Sequence, residues 1–258
     1  MQYDAIILAG GESSGELKKI APYDNEALII IGKYPMIYYV YQALRQSSHI
    51  RNIVISGPVE SLRNIFCREE NVYIVEGGDN AVESFVNAVN FLQDKEPSRS
   101  VLIMPTDIPF ITAEAIDDFI NQSEKHDADF FYAVTSKEVN DHKFPGVNRT
   151  YVKLIDGIFT GGNLFMLRTG IINQVIDMAV QLVLRRKNPL AMARLFGLGL
   201  VWQYFIKRLS IKAVEKRFYK VMNIKGKAII SDYAEVGVDV DKPSDLELAH
   251  RYLADITF

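Results

Sequence analysis

A carboxylate at the end of a fully apolar run is suited to holding a hard divalent cation, and Asp107 stands at such a point, in the string MPTDIPFIT. Mg2+ takes one or two protein carboxylates and fills its other positions with substrate phosphates and water. Asp107 equally fits an Asx-turn ahead of Ile108 and Pro109. A second acidic group lies near the C-terminus, in EVGVDVDKPSDLELA. Strand alternation there puts Asp239 and Asp241 on one face, with Val238 and Val240 turned the other way. Either aspartate suits a metal, and either suits the cap of a helix opening near Pro243.

Glycines mark the positions where a ligand can approach backbone. The apolar run 5–8 ends in Ala9, Gly10 and Gly11, followed by two serines, a further glycine and the pair Lys18 and Lys19. Consecutive backbone N–H groups in such a loop form a small anion-binding concavity, and nearby lysines neutralise phosphate charge. An ordinary turn with a solvated basic tail uses the same residues. Gly77 and Gly78 follow another short run, with Asn80 and Ser84 beyond them. That loop suits contact with a flat base, or equally a turn followed by an Asn cap. Gly161, Gly162 and Asn163 form either a substrate-facing wall or a glycine-rich bend. Arg149 and Lys153 precede them, as acceptor-phosphate contacts or as solvated hairpin residues.

The elements that must position these residues alternate. Short apolar runs at 5–8, 27–31, 53–56, 72–75, 101–104 and 130–134 read as strands, and 36–44, 59–69, 79–92 and the segment after Thr112 read as helices. Such alternation predicts βαβ units and a parallel sheet with helices on both faces. Segments 151–154 and 163–167 flank Asp156 and Gly157, a turn signal that predicts an antiparallel piece. A helical region follows over 171–222, then strands at 228–230 and 236–240, and a last helix from Pro243 to Leu253.

With 258 residues, 48% hydrophobic and 24% charged, the chain has the make-up of a globular protein with a sizeable core. A net charge of -3 gives no basic excess for a nucleic-acid partner. Cys67 is the single cysteine and the four histidines are scattered, which excludes a disulfide framework and a thiolate zinc site. Met1 runs straight into strand-like sequence, so no signal peptide is expected and a cytoplasmic location is the default.

Taken in order, these stretches resemble the nucleotidyltransferase superfamily, nearest to its molybdenum-cofactor guanylyltransferase-like branch. The resemblance runs from about residue 3 to residue 253. Leu8, Ala9, Gly10 and Gly11 are similar to the nucleotide loop of that family, and Gly78 through Ser84, with Asn80, to the base-contacting loop of its cytidylyltransferase members. PTDIPF resembles the strand end that carries Thr106 on the nucleotide side and Asp107 as metal ligand. VDKPSDLELA resembles the closing signature, whose first aspartate, here Asp241, is the second metal ligand. Two positions depart from the pattern. The stretch after the glycines has Ser14, Gly15, Glu16 and Leu17 instead of an arginine, and Glu26 stands where a lysine precedes the second apolar run. Lys18, Lys19 or Lys33 is then the substitute cation.

The resemblance implies an α/β, three-layer, mostly parallel central sheet of the nucleotide-diphospho-sugar transferase, Rossmann-like kind, with a small antiparallel part. It implies one domain over 1–258 with a helical insert at about 171–222. The implied activity is Mg2+-dependent transfer of a nucleoside monophosphate from a nucleoside triphosphate to a phosphorylated small-molecule acceptor, releasing pyrophosphate. Lys18, Lys19 and Asp107 would be catalytic; Asp107, Asp239 and Asp241 would hold the metal. Two alternatives share the fold: a glycosyltransferase consuming a nucleotide sugar, and a nucleotide-binding protein without turnover.

Within the insert, 190–206 is nearly continuous apolar sequence containing Trp202, Tyr204 and Phe205, bordered by Arg185, Arg186, Lys187, Lys207 and Arg208. Arg194 and two glycines argue against a membrane span. Three readings remain: a helical pair buried on the sheet, a homodimer interface, and peripheral contact with anionic lipid through 190–208.

Overall fold

The computed structural model describes residues 1–176 and 197–258. Expectations that rest on 177–196, including the cationic flank at Arg185, Arg186 and Lys187, Arg194, and the first part of the apolar insert, lie outside the described residues.

The run Ala5–Leu8 lies in β1 (Tyr3–Leu8), whose residues from Tyr3 to Ile7 are buried. Its pleat sends Ala5 and Ile7 into one core and Ile6 into another. On one face pack α2 (Met36–Gln46), α3 (Val59–Phe66) and α5 (Ala113–Glu124); on the other packs α4 (Ala81–Gln93). Between the helices run β4 (Ile50–Gly57), β5 (Val72–Glu76), β6 (Ser100–Pro105), β7 (Phe130–Ser136), β8 (Val152–Leu154), β9 (Gly157–Arg168) and β10 (Gly226–Ser231). The sheet order is β10-β7-β9-β6-β1-β4-β5, with β8 paired to β9. β9 is antiparallel to β6, β7 and β8, and the other pairings are parallel. The three-layer, mostly parallel expectation therefore holds, and the antiparallel hairpin extends into the main sheet through β9.

Several local expectations shift. Run 27–31 divides into a 3-10 turn at Glu26–Leu28 and a strand, β2 (Ile30–Ile31), paired with β3 (Tyr34–Pro35). Segment 236–240 is not a sheet strand but a 3-10 turn at Ala234–Gly237 followed by extended chain, because β10 already ends that side of the sheet. Two short helices lack an apolar stripe long enough to read: α1 (Gly15–Ile20), capped by Ser14, and α6 (Lys137–Lys143), capped by Ser136. Thr112 caps α5 as expected, accepting from the Ala115 N–H at 3.2 Å.

In the described part of the insert, helices Leu198–Phe205 and Ile211–Met222 form. The second lies on the sheet through Phe218, stacked on Phe130. Trp202 and Phe205 are 67% and 72% exposed, so the buried-pair reading does not hold for the first. No helix among the described residues is long and apolar enough to cross a membrane.

Candidate active site

Register explains why the first glycine loop and Asp107 meet. β1 and β6 are parallel neighbours with Leu8 opposite Pro105, so Ala9, Gly10 and Gly11 leave one strand end while Thr106 and Asp107 leave the next. β1 has β4 on its other side, and loops at such a reversal of strand order open a crevice at the carboxyl edge of the sheet. The closing segment is tied in by the Val240 N–H, which donates to the Asp107 carbonyl at 2.8 Å. Val238 and Val240 are buried in a third apolar cluster with the final helix Pro243–Leu253. Alternation then turns Asp239 and Asp241 toward Asp107.

The result is a carboxylate cluster. Asp107, Asp239 and Asp241 each contribute an oxygen, and these oxygens lie within 4.8 Å of one another. Two ligands on opposite sides of a Mg2+ are about 4.2 Å apart, so sub-ångström movements suffice for a single hard cation. Asp107 Oδ1 is buried without a hydrogen-bond partner, an expensive state for a carboxylate that nothing compensates. Asp241 is not the helix cap. Lys242 occupies that position, and the Asp241 N–H donates to Asp245 Oδ2 at 3.3 Å. The all-oxygen donor set fits Mg2+ or a similar hard ion.

Glu26 joins this group from the other side. Asn25 Nδ2 donates to the Ala9 carbonyl at 2.8 Å, and the Glu26 N–H donates to the Gly11 carbonyl at 3.2 Å. A Cβ on Gly11 would meet Glu26 Oε1 at 2.0 Å, so the glycine is what lets the carboxylate lie over the loop. Burial, then the charges of Asp241 and Asp239, push the Glu26 pKa up to about 7. Asp107 is held well above the usual carboxylate range by burial and by Glu26, Asp239 and Asp241. Asp241 is raised chiefly by burial and Asp239, with Arg149 opposing.

The structure brings other expected residues to this edge in altered roles. Arg149 is committed to a two-pronged ion pair with Asp239, its Nη2 donating to Oδ2 at 3.1 Å and its Nη1 to Oδ1. Tyr132 lies close enough to feel the Arg149 charge, and its hydroxyl fills the space a Cβ on Gly161 would need. Gly161 therefore packs against Tyr132. Gly162 backs onto the carbonyls of Ala133 and Val236, and Asn163 Nδ2 reaches the Val236 carbonyl at 3.5 Å, so both support the wall from behind. Lys153 is exposed on β8, opposite Ile158.

On the opposite flank, Gly10 lies against Ser84, whose buried hydroxyl accepts from the Gly78 N–H at 3.0 Å. Asn80 caps α4, accepting from the Val82 and Glu83 N–H groups. Thr106 is fully buried with its hydroxyl unpartnered. Lys18 pairs with Asp24 at 3.1 Å, and Lys19 is exposed in the last turn of α1. Lys33 Nζ donates to Thr257 at 3.0 Å, and Gly32 lies against Ala254. That is the far end of the final helix, about 16 Å along its axis from Asp241. Ser14 adds a link missed in the sequence: its hydroxyl donates to the Asp241 carbonyl at 3.1 Å.

Comparison with known proteins bears on the family and the fold. A family model described as the MobA-like NTP transferase domain matches residues 5–196. The chain belongs to the MobA-like NTP transferase domain family. The structure of a hypothetical transferase from Thermus thermophilus is similar over 95% of this chain and 100% of that one, at 30% identity and a TM-score of 0.81. Among curated proteins, the 2-C-methyl-D-erythritol 4-phosphate cytidylyltransferase of Bacillus thuringiensis is 26% identical over 132 residues, 49% of this chain and 55% of the relative. The matched stretch thus spans about half the length of that relative. The 4-diphosphocytidyl-2C-methyl-D-erythritol synthase of Anaerococcus prevotii shares the fold, at 16% identity and a TM-score of 0.63 over 98% of this chain and 96% of that one.

Proposed function

We propose that this chain is a Mg2+-dependent nucleotidyltransferase. It transfers a nucleoside monophosphate from a nucleoside triphosphate to a phosphorylated small-molecule acceptor. The observation that carries the reading is the convergence of Asp107, Asp239 and Asp241 within 4.8 Å beside the Gly10–Gly11 loop. The family assignment and the cytidylyltransferase names of the curated relatives support it and make CTP the first nucleotide to test.

In the reaction, an acceptor phosphate oxygen attacks the α-phosphorus, the bond from that phosphorus to the β-bridging oxygen breaks, and pyrophosphate departs. No covalent protein intermediate is needed, so the chain's contribution is alignment and charge. Asp107 and Asp241 are the proposed Mg2+ ligands, with Asp239 held in position by Arg149. Held there, Mg2+ would supply charge neutralisation at the transferring phosphate and the leaving pyrophosphate. Gly10 and Gly11 add no side chain of their own to the crevice proposed for the phosphates, with Gly78 and Ser84 bordering the base side. Gly161 and Tyr132 border the acceptor side, with exposed Lys153 as the cation for the acceptor phosphate.

The direct test is pyrophosphate release from CTP, GTP, ATP and UTP across a panel of phosphorylated polyols and sugars. Asp107→Asn is expected to lower the rate at least 100-fold. Full activity in that variant removes the metal role. A second reading, nucleotide binding without turnover, is favoured by Glu26 alone, since it puts a carboxylate over the phosphate loop. Calorimetric CTP binding with no pyrophosphate from any acceptor would select it.

A further inference from the structure

Glu26 is the member of the cluster that a one-ion site leaves without a task. Its carboxylate is outside the set of oxygens within 4.8 Å, yet after burial its charge is the largest single influence on half-buried Asp107. It has no hydrogen-bond or ion-pair partner among the described residues. Arg149 compensates Asp239, and one divalent ion compensates two further carboxylates, which leaves one negative charge in a cleft that must still admit a polyphosphate. Lys242 stands beside Asp241 and bears on that carboxylate, and the lysines on the loop side are committed or distant. Lys18 is paired with Asp24, Lys33 is bonded to Thr257, and Lys19 stands five residues along α1 from Ser14, about 7.5 Å by helical rise. The buried, unpartnered Asp107 Oδ1 lies in the same group and offers an oxygen to share.

We propose that Glu26 and Asp107 together hold a second divalent cation beside the first, and that this ion, in place of a lysine, receives the polyphosphate of the nucleotide over Gly11. The proposal rests on the nucleotidyltransferase reading and adds a ligand, a stoichiometry and a mode of phosphate recognition to it. Paired ions that share a carboxylate lie about 3.5–4 Å apart, so a second site needs a ligand from outside the three-oxygen set, and Glu26 lies outside it.

The test loads the full chain with Mn2+ and inorganic tripolyphosphate, counts bound Mn2+, and records electron paramagnetic resonance in frozen solution. Two Mn2+ per chain with an exchange-coupled spectrum are expected. Glu26→Gln, nearly isosteric, and Glu26→Lys should each bind one Mn2+ with an isolated-ion spectrum, and Glu26→Gln should melt no lower than the wild type at pH 6, which shows that the lost ion is not a lost fold. One Mn2+ with an isolated-ion spectrum in the wild type, or a coupled pair surviving in Glu26→Gln, overturns the role of Glu26. The transferase reading is unaffected by either result, since pyrophosphate release judges it separately. Absence of any bound Mn2+ in the wild type overturns both.

Discussion

Glu26 and Asp107 are carboxylates whose ionisation the fold opposes, and that opposition has a measurable sign. An acid whose folded pKa lies above its unfolded value costs nothing below the unfolded pKa and destabilises increasingly as pH rises toward the folded one. For Glu26 that window runs from the ordinary 4.5 to about 7. The metal-free protein is therefore expected to lose up to about 3 kcal/mol between pH 5 and pH 8 from this residue. Urea midpoints in EDTA at the two pH values measure it. Glu26→Gln should flatten the slope and be the more stable protein at pH 8, and added Mg2+ should recover much of the loss in the wild type. An unchanged slope in Glu26→Gln would mean the carboxylate is better compensated than its surroundings indicate. Sequence reading pointed to Glu26 as a departure but could not assign it a neighbour. Nothing local in the chain pairs residue 26 with residues 107 and 239, because the contacts are made by strand ends far apart in sequence.

At the scale of elements, the site depends on how closely the ends of β1, β4 and β5 approach. Gly57 ends β4, and a Cβ there would meet the Ala9 carbonyl oxygen at 2.7 Å and the Ala9 Cβ at 2.9 Å. Backbone cannot yield as a flexible side chain does. Gly57→Ala is expected to cost about 1–3 kcal/mol and to push the Ala9–Gly11 loop out of register. Thermal melting measures the first effect and a raised KM for the nucleotide the second. A Tm and KM within error of wild type would show that the loop has slack. Ser14→Ala is milder, costing about 1 kcal/mol through the lost helix cap, with a further loss of Mg2+ affinity because its hydroxyl also bonds the Asp241 carbonyl. Isothermal titration with Mg2+ separates the two effects. Most of these elements were legible from apolar runs and glycine stops. α1 was not, since its six residues bury Leu17 alone. Its signals were the Ser14 cap, Glu16 in the first turn and Lys18 and Lys19 in the last, which together match a short helix.

Across the whole molecule, the two ends of β1 treat buried carboxylates in opposite ways. At the amino end Asp4 is fully buried, and burial alone would raise its pKa. Bonds from Arg51, the Ser98 N–H and Asn52 outweigh that and hold it below the usual value. This is a satisfied structural carboxylate. Its stabilisation is present at neutral pH and lost as pH falls through the lowered pKa. Asp4→Asn is expected to destabilise the protein by about 2–4 kcal/mol at pH 7 by urea unfolding, with unchanged cation binding per folded molecule. At the carboxyl end, Asp107 Oδ1 and the Glu26 carboxylate have no such partners among the described residues.

The sequence by itself determined most of the runs that become strands of the main sheet, and that Asp239 and Asp241 share a face, because burial and pleat are local consequences of residue order; runs 27–31 and 236–240 were settled otherwise by their tertiary surroundings. It also determined that Asp107 stands at a carboxyl edge, where ligands of such sheets bind. Tertiary structure alone decided that three aspartates come within 4.8 Å, that Arg149 binds Asp239 and not an acceptor in this state, and that Glu26 lies over Gly11. Those outcomes depend on strand order and on a parallel register that sets Leu8 beside Pro105. Distances between strand ends are properties of the assembled sheet, and no stretch of the chain carries them alone.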